Sequence, residues 1–177
     1  NPSQQPRMGL GYGVFAQLGI LSKLGVVENA GDITSAIENM HAGMGGLEKT
    51  AQEFAEKVKD TVLIIFGAEH LVGNAHVFAN QLNETAKTFA AWFSIPEVNH
   101  HLLEGLKHPK IPLTAIFLES ENYSPNIKKR VELTKQIVEK NDHQVYPCSL
   151  ARPGLTRLSL LGEVLDALLF SSHVSFY

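Results

Sequence analysis

The sequence has 177 residues, 44% of them hydrophobic, and a formal net charge of −3. A chain of this length buries roughly 70% of the surface that its unfolded form exposes, which allows a core without disulfides or metals. The charge gives no electrostatic reason to expect nucleic acid or an anionic membrane as a partner. The single cysteine, Cys148, excludes an internal disulfide framework, and no apolar run approaches the ~18 residues that span a bilayer. We expect a soluble cytoplasmic protein.

The first residues predict a linker rather than part of a core. Residues 1–11 are polar and are punctuated by prolines and glycines, a composition typical of extended chain. The sequence starts without Met and stops within an apolar helical pattern, so both ends indicate cuts through a longer protein, made by processing or by cloning. We therefore expect a linker arm at 1–11 and one domain with leading helices at 12–177.

Three helices are predicted before any strand. Apolar side chains recur at helical spacing over residues 12–26, 32–44 and 47–60. The break between the second and third helices is predicted from three closely spaced glycines: Gly43, Gly45 and Gly46.

From residue 61 the pattern changes to short apolar runs that alternate with helical segments. Strands are predicted at 61–67, 90–97, 111–120 and 143–150. Helices are predicted at 74–89 and 124–141, and from about 154 onward. Strands separated by helices of this length imply βαβ crossovers, so the predicted fold class is α/β: a three-layer α-β-α sandwich with a parallel sheet.

Ligands of such folds bind beyond the carboxyl ends of the strands, in the strand-to-helix loops. We therefore expect the chemistry of this protein at residues 67–84, 96–104, 119–125 and 149–157.

Glu84 lies in a polar cluster near the middle of the helix predicted after the first strand. Its neighbours in this cluster are Asn80, Gln81, Asn83 and Thr85, in a stretch otherwise rich in Ala, Phe and Leu. A solvated helix face is the simpler interpretation. A general base is the alternative, because partial burial raises the pKa of a carboxylate toward the working pH, and acid–base catalysis contributes roughly 10²–10⁴-fold.

A group of histidines follows the second predicted strand. His101, Glu104 and His108 share one helical face, which permits a metal site. Pro109 follows shortly, however, and no second ligand set has metal spacing. A histidine that acts as acid, base or hydrogen-bond donor in a polar cleft is the favoured interpretation, so we expect neither a metal nor a cofactor.

Three other side chains have simple structural interpretations. Cys148, at the end of a predicted strand, is most simply a small core residue. Arg152 and Arg157 flank the turn into the last helix, where they could bind phosphate or serve equally well in capping and ion pairing.

Three stretches resemble successive landmarks of one family: NQLNETAK (80–87), IPEVNHHLLEG (95–105) and PGLTRLSLLGEVLDALLF (153–170). They resemble the C-terminal sugar-isomerase (SIS) domain of bifunctional phosphoglucose/phosphomannose isomerases. The opening QQPRMGLGY resembles the arm that joins the two SIS domains of that family. The resemblance implies a SIS fold of flavodoxin-like or Rossmann-like type, with the N-terminal SIS domain absent from this chain.

The resemblance also implies an activity. Members isomerise glucose 6-phosphate and mannose 6-phosphate to fructose 6-phosphate without metal, in glycolysis and gluconeogenesis. By the matching motifs, Glu84 is the base that moves the proton between C2 and C1. His100 assists ring opening and reaches the site from the partner subunit of a homodimer. Arg7 stabilises the enediolate, since its guanidinium keeps its charge and binds an oxyanion as a fork.

Two further functions remain open. A SIS domain can bind sugar phosphates without turning them over, and the apolar helices at 12–26 and 154–177 also suit a domain that only dimerises. In the family, the phosphate-binding loop belongs to the first SIS domain, and a lysine and a threonine come from a segment beyond Tyr177. The isolated chain is therefore expected to be incomplete as an enzyme.

Overall fold

The computed structural model describes residues 4–27, 30–149 and 158–177; the side chains at positions 7, 8 and 30–32 lie outside this description. A 3-10 turn at Pro6–Gly9 leads into helix α1 at Leu10–Lys23, which is followed by helix α2 at Ala30–Val58. The end of the predicted linker is therefore helical rather than extended, and its linker role stays a prediction. No helix in the described part of the chain is long and apolar enough to cross a membrane.

Helix α2 is continuous across the glycines at which the sequence predicted a break. A glycine in a helix interior costs about 1 kcal/mol relative to alanine. This cost is outweighed because Ala36 precedes the glycines and Leu47 and Ala51 follow them, all three fully buried. Burial of a leucine side chain alone contributes roughly 1.5–3 kcal/mol. Among the residues described before β1 there are thus two α-helices, and the predicted break that would have made three was wrong.

Four strands form one parallel sheet in the order β2-β1-β3-β4. Their bounds are Val62–Ala68 for β1, Ala90–Ile95 for β2, Leu113–Glu119 for β3 and Gln144–Ser149 for β4. Strand β1 lies between two neighbours and is buried along almost its whole length, as its continuous apolar run predicts. All four predicted strands are confirmed, and Cys148 is buried in β4 as expected.

Helices cover both faces of the sheet. The remaining four are α3 at Val72–Gln81, α4 at Val98–Gly105, α5 at Pro125–Lys140 and α6 at Leu160–Val174. Successive residues of β2 show the two sides: the Trp92 ring stacks on His76 of α3, and the Phe93 ring contacts His101 of α4. Helices α2, α3 and α6 form one outer layer and α4 and α5 the other, which confirms the three-layer α/β class.

Close packing at the end of β1 requires a glycine. A Cβ atom at Gly67 would lie 2.7 Å from the backbone oxygen of Leu71 and 2.9 Å from the Cβ of Ala75. The absence of a side chain lets the start of α3 pack directly against the strand.

The helical connections after the two central strands, β1 and β3, lead to opposite outer strands of the sheet. Helix α3 returns the chain to β2 on one side of β1, and α5 returns it to β4 on the other side of β3. The carboxyl ends of β1 and β3 therefore form the topological switch point of the sheet, where open α/β folds most often bind ligands.

Candidate functional site

Glu84 lies in a wide π-helical turn at Leu82–Ala86 that continues α3. The helix stops there because Lys87 adopts a left-handed conformation with φ of 56°, and the Thr88 amide donates back to the Leu82 oxygen at 3.0 Å. Glu84 is thus in the last turn of the helix, not near its middle as predicted. Single π-helical turns are frequent at functional sites.

This turn lies where the parallel strands begin, the side of the sheet that we call its amino edge. Strand β2 begins shortly after it, and the Leu63 amide at the start of β1 donates to the Phe89 oxygen at 3.3 Å. The prediction that Glu84 lies near the carboxyl ends of the strands was therefore wrong, because α3 carries the chain back along the full length of β1.

The side chain of Asn83 anchors the Glu84 turn to the sheet. Its Nδ2 donates to the backbone oxygens of Ala79 and Ala90, both at 2.7 Å, and its Oδ1 accepts from the Ala90 amide at 3.3 Å. One side chain thus links the end of the helix to the first residue of β2. Glu84 itself is exposed, so the partial burial expected of a base is not found within this chain.

His100 lies where the strands end, at the carboxyl edge of the sheet, in the first turn of α4 after β2. Its side chain is 85% exposed, with Nδ1 3.7 Å from an oxygen of Glu97. Buried Val98 and a 2.8 Å hydrogen bond from Asn99 Nδ2 to Thr134 Oγ1 fix this turn. A six-residue strand, β2, separates the two edges, a length of roughly 20 Å. One chain therefore does not bring Glu84 and His100 together.

A cavity of about 540 Å³ lies beside the Glu84 turn, between α1, α2, α6 and the end of α3. Gln81 and Thr85, on either side of Glu84 in the sequence, line it. Leu10, which also lines the cavity, directly follows the 3-10 turn that contains the backbone of Arg7. The cavity thus reaches the Glu84 turn through Thr85 and the start of α1 through Leu10; Arg7 precedes Leu10 by three residues, and its side chain lies outside the described residues.

The walls of this cavity are mainly apolar and include two hydrogen-bonded polar pairs. In one, Gln81 Nε2 donates to Ser172 Oγ at 2.8 Å. In the other, the Tyr177 hydroxyl donates to a Glu48 oxygen at 2.6 Å, and this hydrogen bond raises the pKa of the tyrosine. Apolar walls with a few placed polar groups and this volume are typical of small-molecule sites, which span about 300–1,000 Å³. The apolar wall residues include Leu10, Phe15, Met40, Leu165, Leu168, Leu169 and Phe176.

The carboxyl edge carries a buried polar network that the sequence analysis missed. Glu163 of α6 is 4% exposed, and its Oε2 accepts hydrogen bonds from His70 Nε2 at 2.6 Å and from Ser120 Oγ. His70 follows β1 and Ser120 follows β3, so the network fills the switch point. The segments GAEH and LES after two strands were the available signal, but nothing in the sequence paired them with a glutamate 93 positions after His70.

Tyr123 lies beside this network, with its ring in edge contact with the His70 ring at 5.5 Å between centroids. Its hydroxyl donates to the Leu118 oxygen at 3.0 Å and accepts from the Ala68 amide at 3.2 Å. Burial raises the pKa of this phenol well above its usual value. The hydrogen bonds of Glu163 to His70 and Ser120 tie α6 to the residues after β1 and β3, and Tyr123 links the ends of these two strands, so this region has the character of a structural junction.

The remaining predicted groups are the histidine face of α4 and two arginines. No three His, Cys, Asp or Glu side chains within the described residues are placed to hold a metal ion, and this includes the face formed by His101, Glu104 and His108. Arg152 and Arg157, the candidate phosphate ligands, lie outside the described residues.

Sequence comparison agrees with the predicted resemblance. A family model, the bacterial phospho-glucose isomerase C-terminal SIS domain, matches residues 47–177. A curated relative, the bifunctional phosphoglucose/phosphomannose isomerase of Aquifex aeolicus, is 27% identical over 157 residues, which are 88% of this chain. The chain spans 47% of that relative, about half its length.

Solved structures share the fold. A candidate phosphosugar isomerase from Salmonella typhimurium LT2 aligns with a TM-score of 0.60 at 21% identity, over 89% of this chain and 50% of the other. Glucosamine-6-phosphate deaminase from Thermotoga maritima aligns with a TM-score of 0.59 at 9% identity, over 89% of this chain and 46% of the other. Identities this low establish the fold alone. From the family match over most of its length, the chain belongs to the bacterial phospho-glucose isomerase C-terminal SIS domain family.

Proposed function

We propose that this chain is the C-terminal half of a cytoplasmic sugar-phosphate isomerase that interconverts glucose 6-phosphate or mannose 6-phosphate with fructose 6-phosphate. The observation that carries the proposal is the setting of Glu84. Its turn is anchored to the sheet by Asn83, leaves Glu84 exposed, and lines a cavity of ligand size through Thr85, the residue after Glu84. The helix that follows Arg7 forms another wall of that cavity.

The chemistry requires a base and a cation beside the substrate. The Glu84 carboxylate takes the proton from C2 of the open-chain aldose, and the electron pair moves to the C1 oxygen to give an enediolate. A proton then passes from the C2 hydroxyl to the C1 oxygen, and return of the first proton to C1, with a carbonyl formed at C2, gives the ketose. The Arg7 guanidinium stabilises the negative oxygen, and its high pKa keeps it charged throughout.

Glu84 also needs a cover that excludes water, because electrostatic interactions strengthen in a dry site. The partner subunit's His100 supplies part of this cover and assists ring opening, in a homodimer whose two sites each combine residues from both chains. The opposite positions of Glu84 and His100 on one sheet support this arrangement, since a single chain separates them by the length of β2.

Substitution of the base in the full-length protein tests the proposal. Glu84→Gln keeps the size of the side chain and removes the basic oxygen, so we expect kcat to fall at least about 100-fold and C2 proton exchange with solvent to fall equally. Glu139→Gln, an exposed position on α5, is the matched control and should leave both unchanged. Substantial activity in Glu84→Gln would refute the assigned base. Sugar-phosphate binding by the unsubstituted protein without C2 exchange would favour a non-catalytic binding module.

A further inference from the structure

We propose that the outer edge of β2 pairs antiparallel with the same edge of a second copy of this chain, and that this pairing builds the shared active site. The inference rests on the proposed function, because it names the surface through which the homodimer forms. Strand β2 lies at one end of the sheet, with β1 as its single neighbour among the described residues. Its residues 91–94 are only half-buried, although α3 and α4 cover its two faces.

The two outer strands of the sheet differ in what they offer to a further strand. Strand β4 contains Pro147, which has no N–H to donate, and prolines of this kind protect sheet edges. Strand β2 has the sequence AAWFSI, without a charge and without a proline. An edge of this composition is a template for pairing with another chain.

Hydrogen bonds within the chain show which backbone groups of β2 face outward. The Phe89 oxygen accepts from β1, and successive residues of a strand direct their N–H and C=O groups to opposite sides. Ala90 therefore faces outward, where the Asn83 side chain pairs with both of its backbone groups. Trp92 and Ser94 face the same way, and no described residue pairs with their backbone groups.

One antiparallel register leaves no outward group of β2 unpaired. It sets Trp92 opposite the partner's Ser94, so that these residues exchange both N–H···O bonds across a two-fold axis at Phe93. The next outward residue, Ala90, then meets the partner's Pro96. Neither needs a further bond, because Ala90 is already paired, and Pro96 has no N–H and an oxygen that accepts within its own chain. A shift of the register in either direction would set Trp92 or Ser94 against one of these two closed residues.

This pairing assembles the site that one chain leaves incomplete. In an antiparallel pair, the start of β2 lies beside the end of the partner's β2, about 4.8 Å away. The Glu84 turn is held to the start of β2 by Asn83, and His100 lies in the first turn after its end. Glu84 and the partner subunit's His100 therefore lie beyond the same edge of the joined sheet, and the two-fold axis creates two such sites.

Cysteine cross-linking of the full-length protein tests the inference. Phe93 lies on the proposed axis, where the two Cα atoms come about 4.5 Å apart, within the range of a disulfide. Phe93→Cys protein should therefore become mainly a covalent dimer on oxidation, whereas the unsubstituted protein, whose Cys148 is buried, should not. Phe89→Cys is the matched control: this position is exposed, but its two Cα atoms would be roughly 26 Å apart, so no link should form.

Removal of an outward N–H gives an independent measurement. Ser94→Pro removes this group without breaking a bond to β1, and sedimentation should show that the dissociation constant of the dimer rises at least about tenfold. Ser94→Ala keeps the N–H and should leave the dissociation constant unchanged.

A folded Phe93→Cys protein that forms no covalent dimer would overturn the inference, as would equal dissociation constants for Ser94→Pro and Ser94→Ala. If Phe93→Cys does not fold, the two Ser94 variants decide alone. A monomeric unsubstituted protein overturns the inference whatever its activity. Cross-linking through Phe93→Cys, in a protein that does not isomerise sugar phosphates before the substitution, supports the interface and overturns the proposed function alone.

Discussion

Asn83 holds the Glu84 turn to the sheet through three hydrogen bonds to backbone atoms of Ala79 and Ala90. Asn83→Ala removes all three at once and leaves the backbone groups at the start of β2 without their side-chain partner. We expect a loss of about 1–3 kcal/mol in the free energy of unfolding, measured by denaturant titration. Asn80→Ala, an exposed position on the same helix, should change it by less than about 0.5 kcal/mol. Equal stabilities of the two variants would contradict the anchoring role.

Tyr123 predicts a specific loss of stability in alkali. Burial, aided by the negative charges of Glu163, Glu69 and Glu119, raises the pKa of its hydroxyl in the folded state. Below about pH 10 the phenol is neutral in both states, and its contribution does not vary with pH. Above about pH 10 the unfolded chain loses the proton and the folded chain keeps it, so stability falls by up to about 1.4 kcal/mol per pH unit.

Denaturant titrations between pH 9 and 11 measure this slope. Tyr123→Phe should be less stable at neutral pH, because the Ala68 amide loses its acceptor, but its stability should fall less steeply in alkali. The same slope in the Tyr123→Phe protein would show that the phenol does not contribute.

Sequence patterns identified Glu84 as a candidate but gave its surroundings incorrectly. Its polar neighbours and its motif are local, and so they can be read from one stretch of sequence. Its position at the amino edge depends on where α3 ends, which Lys87 decides by a backbone conformation that helical periodicity does not reveal. The network of His70, Ser120 and Glu163 was missed because residues distant in the sequence meet only after folding.

At the scale of elements, two glycines in different surroundings should respond oppositely to alanine. A Cβ at Gly45, within α2, would meet no atom within 4 Å, so Gly45→Ala should stabilise the protein by about 0.5–1 kcal/mol. A Cβ at Gly67 would clash with the Leu71 backbone, so Gly67→Ala should destabilise it by more than about 1 kcal/mol. Thermal unfolding measures both. Destabilisation by Gly45→Ala would contradict a continuous α2.

The strands were predictable and the number of leading helices was not. Short β-branched runs that alternate with amphipathic segments have few other solutions than a parallel sheet with helices on both faces. Glycines at 43, 45 and 46 lower local helix propensity, yet the chain stays helical because the apolar stripe of α2 continues on both sides of them and packs against α6. Tertiary packing of this kind is not visible in a local propensity.

At the scale of the whole molecule, α1 lacks a buried face. None of its residues is buried, and apolar side chains on it and on the following turn are exposed: Tyr12 by 58%, Ile20 by 59%, Leu24 by 71% and Val26 by 67%. Apolar surface of this kind is typical of interfaces. In the proposed homodimer, the partner subunit covers this surface. The same dimer brings together Glu84 and His100, which a single chain keeps apart.

The central claim is that each active site combines Glu84 of one subunit with the partner subunit's His100. Full-length Glu84→Gln and His100→Ala proteins, each nearly inactive alone, can be dissociated together and reassembled. Half of the dimers should then be mixed, and each mixed dimer should contain one intact site and one doubly substituted site. We predict recovery of about a quarter of the unsubstituted activity, as the two-fold symmetry requires. Mixed dimers that form but show no more activity than the two parent proteins would contradict the shared site.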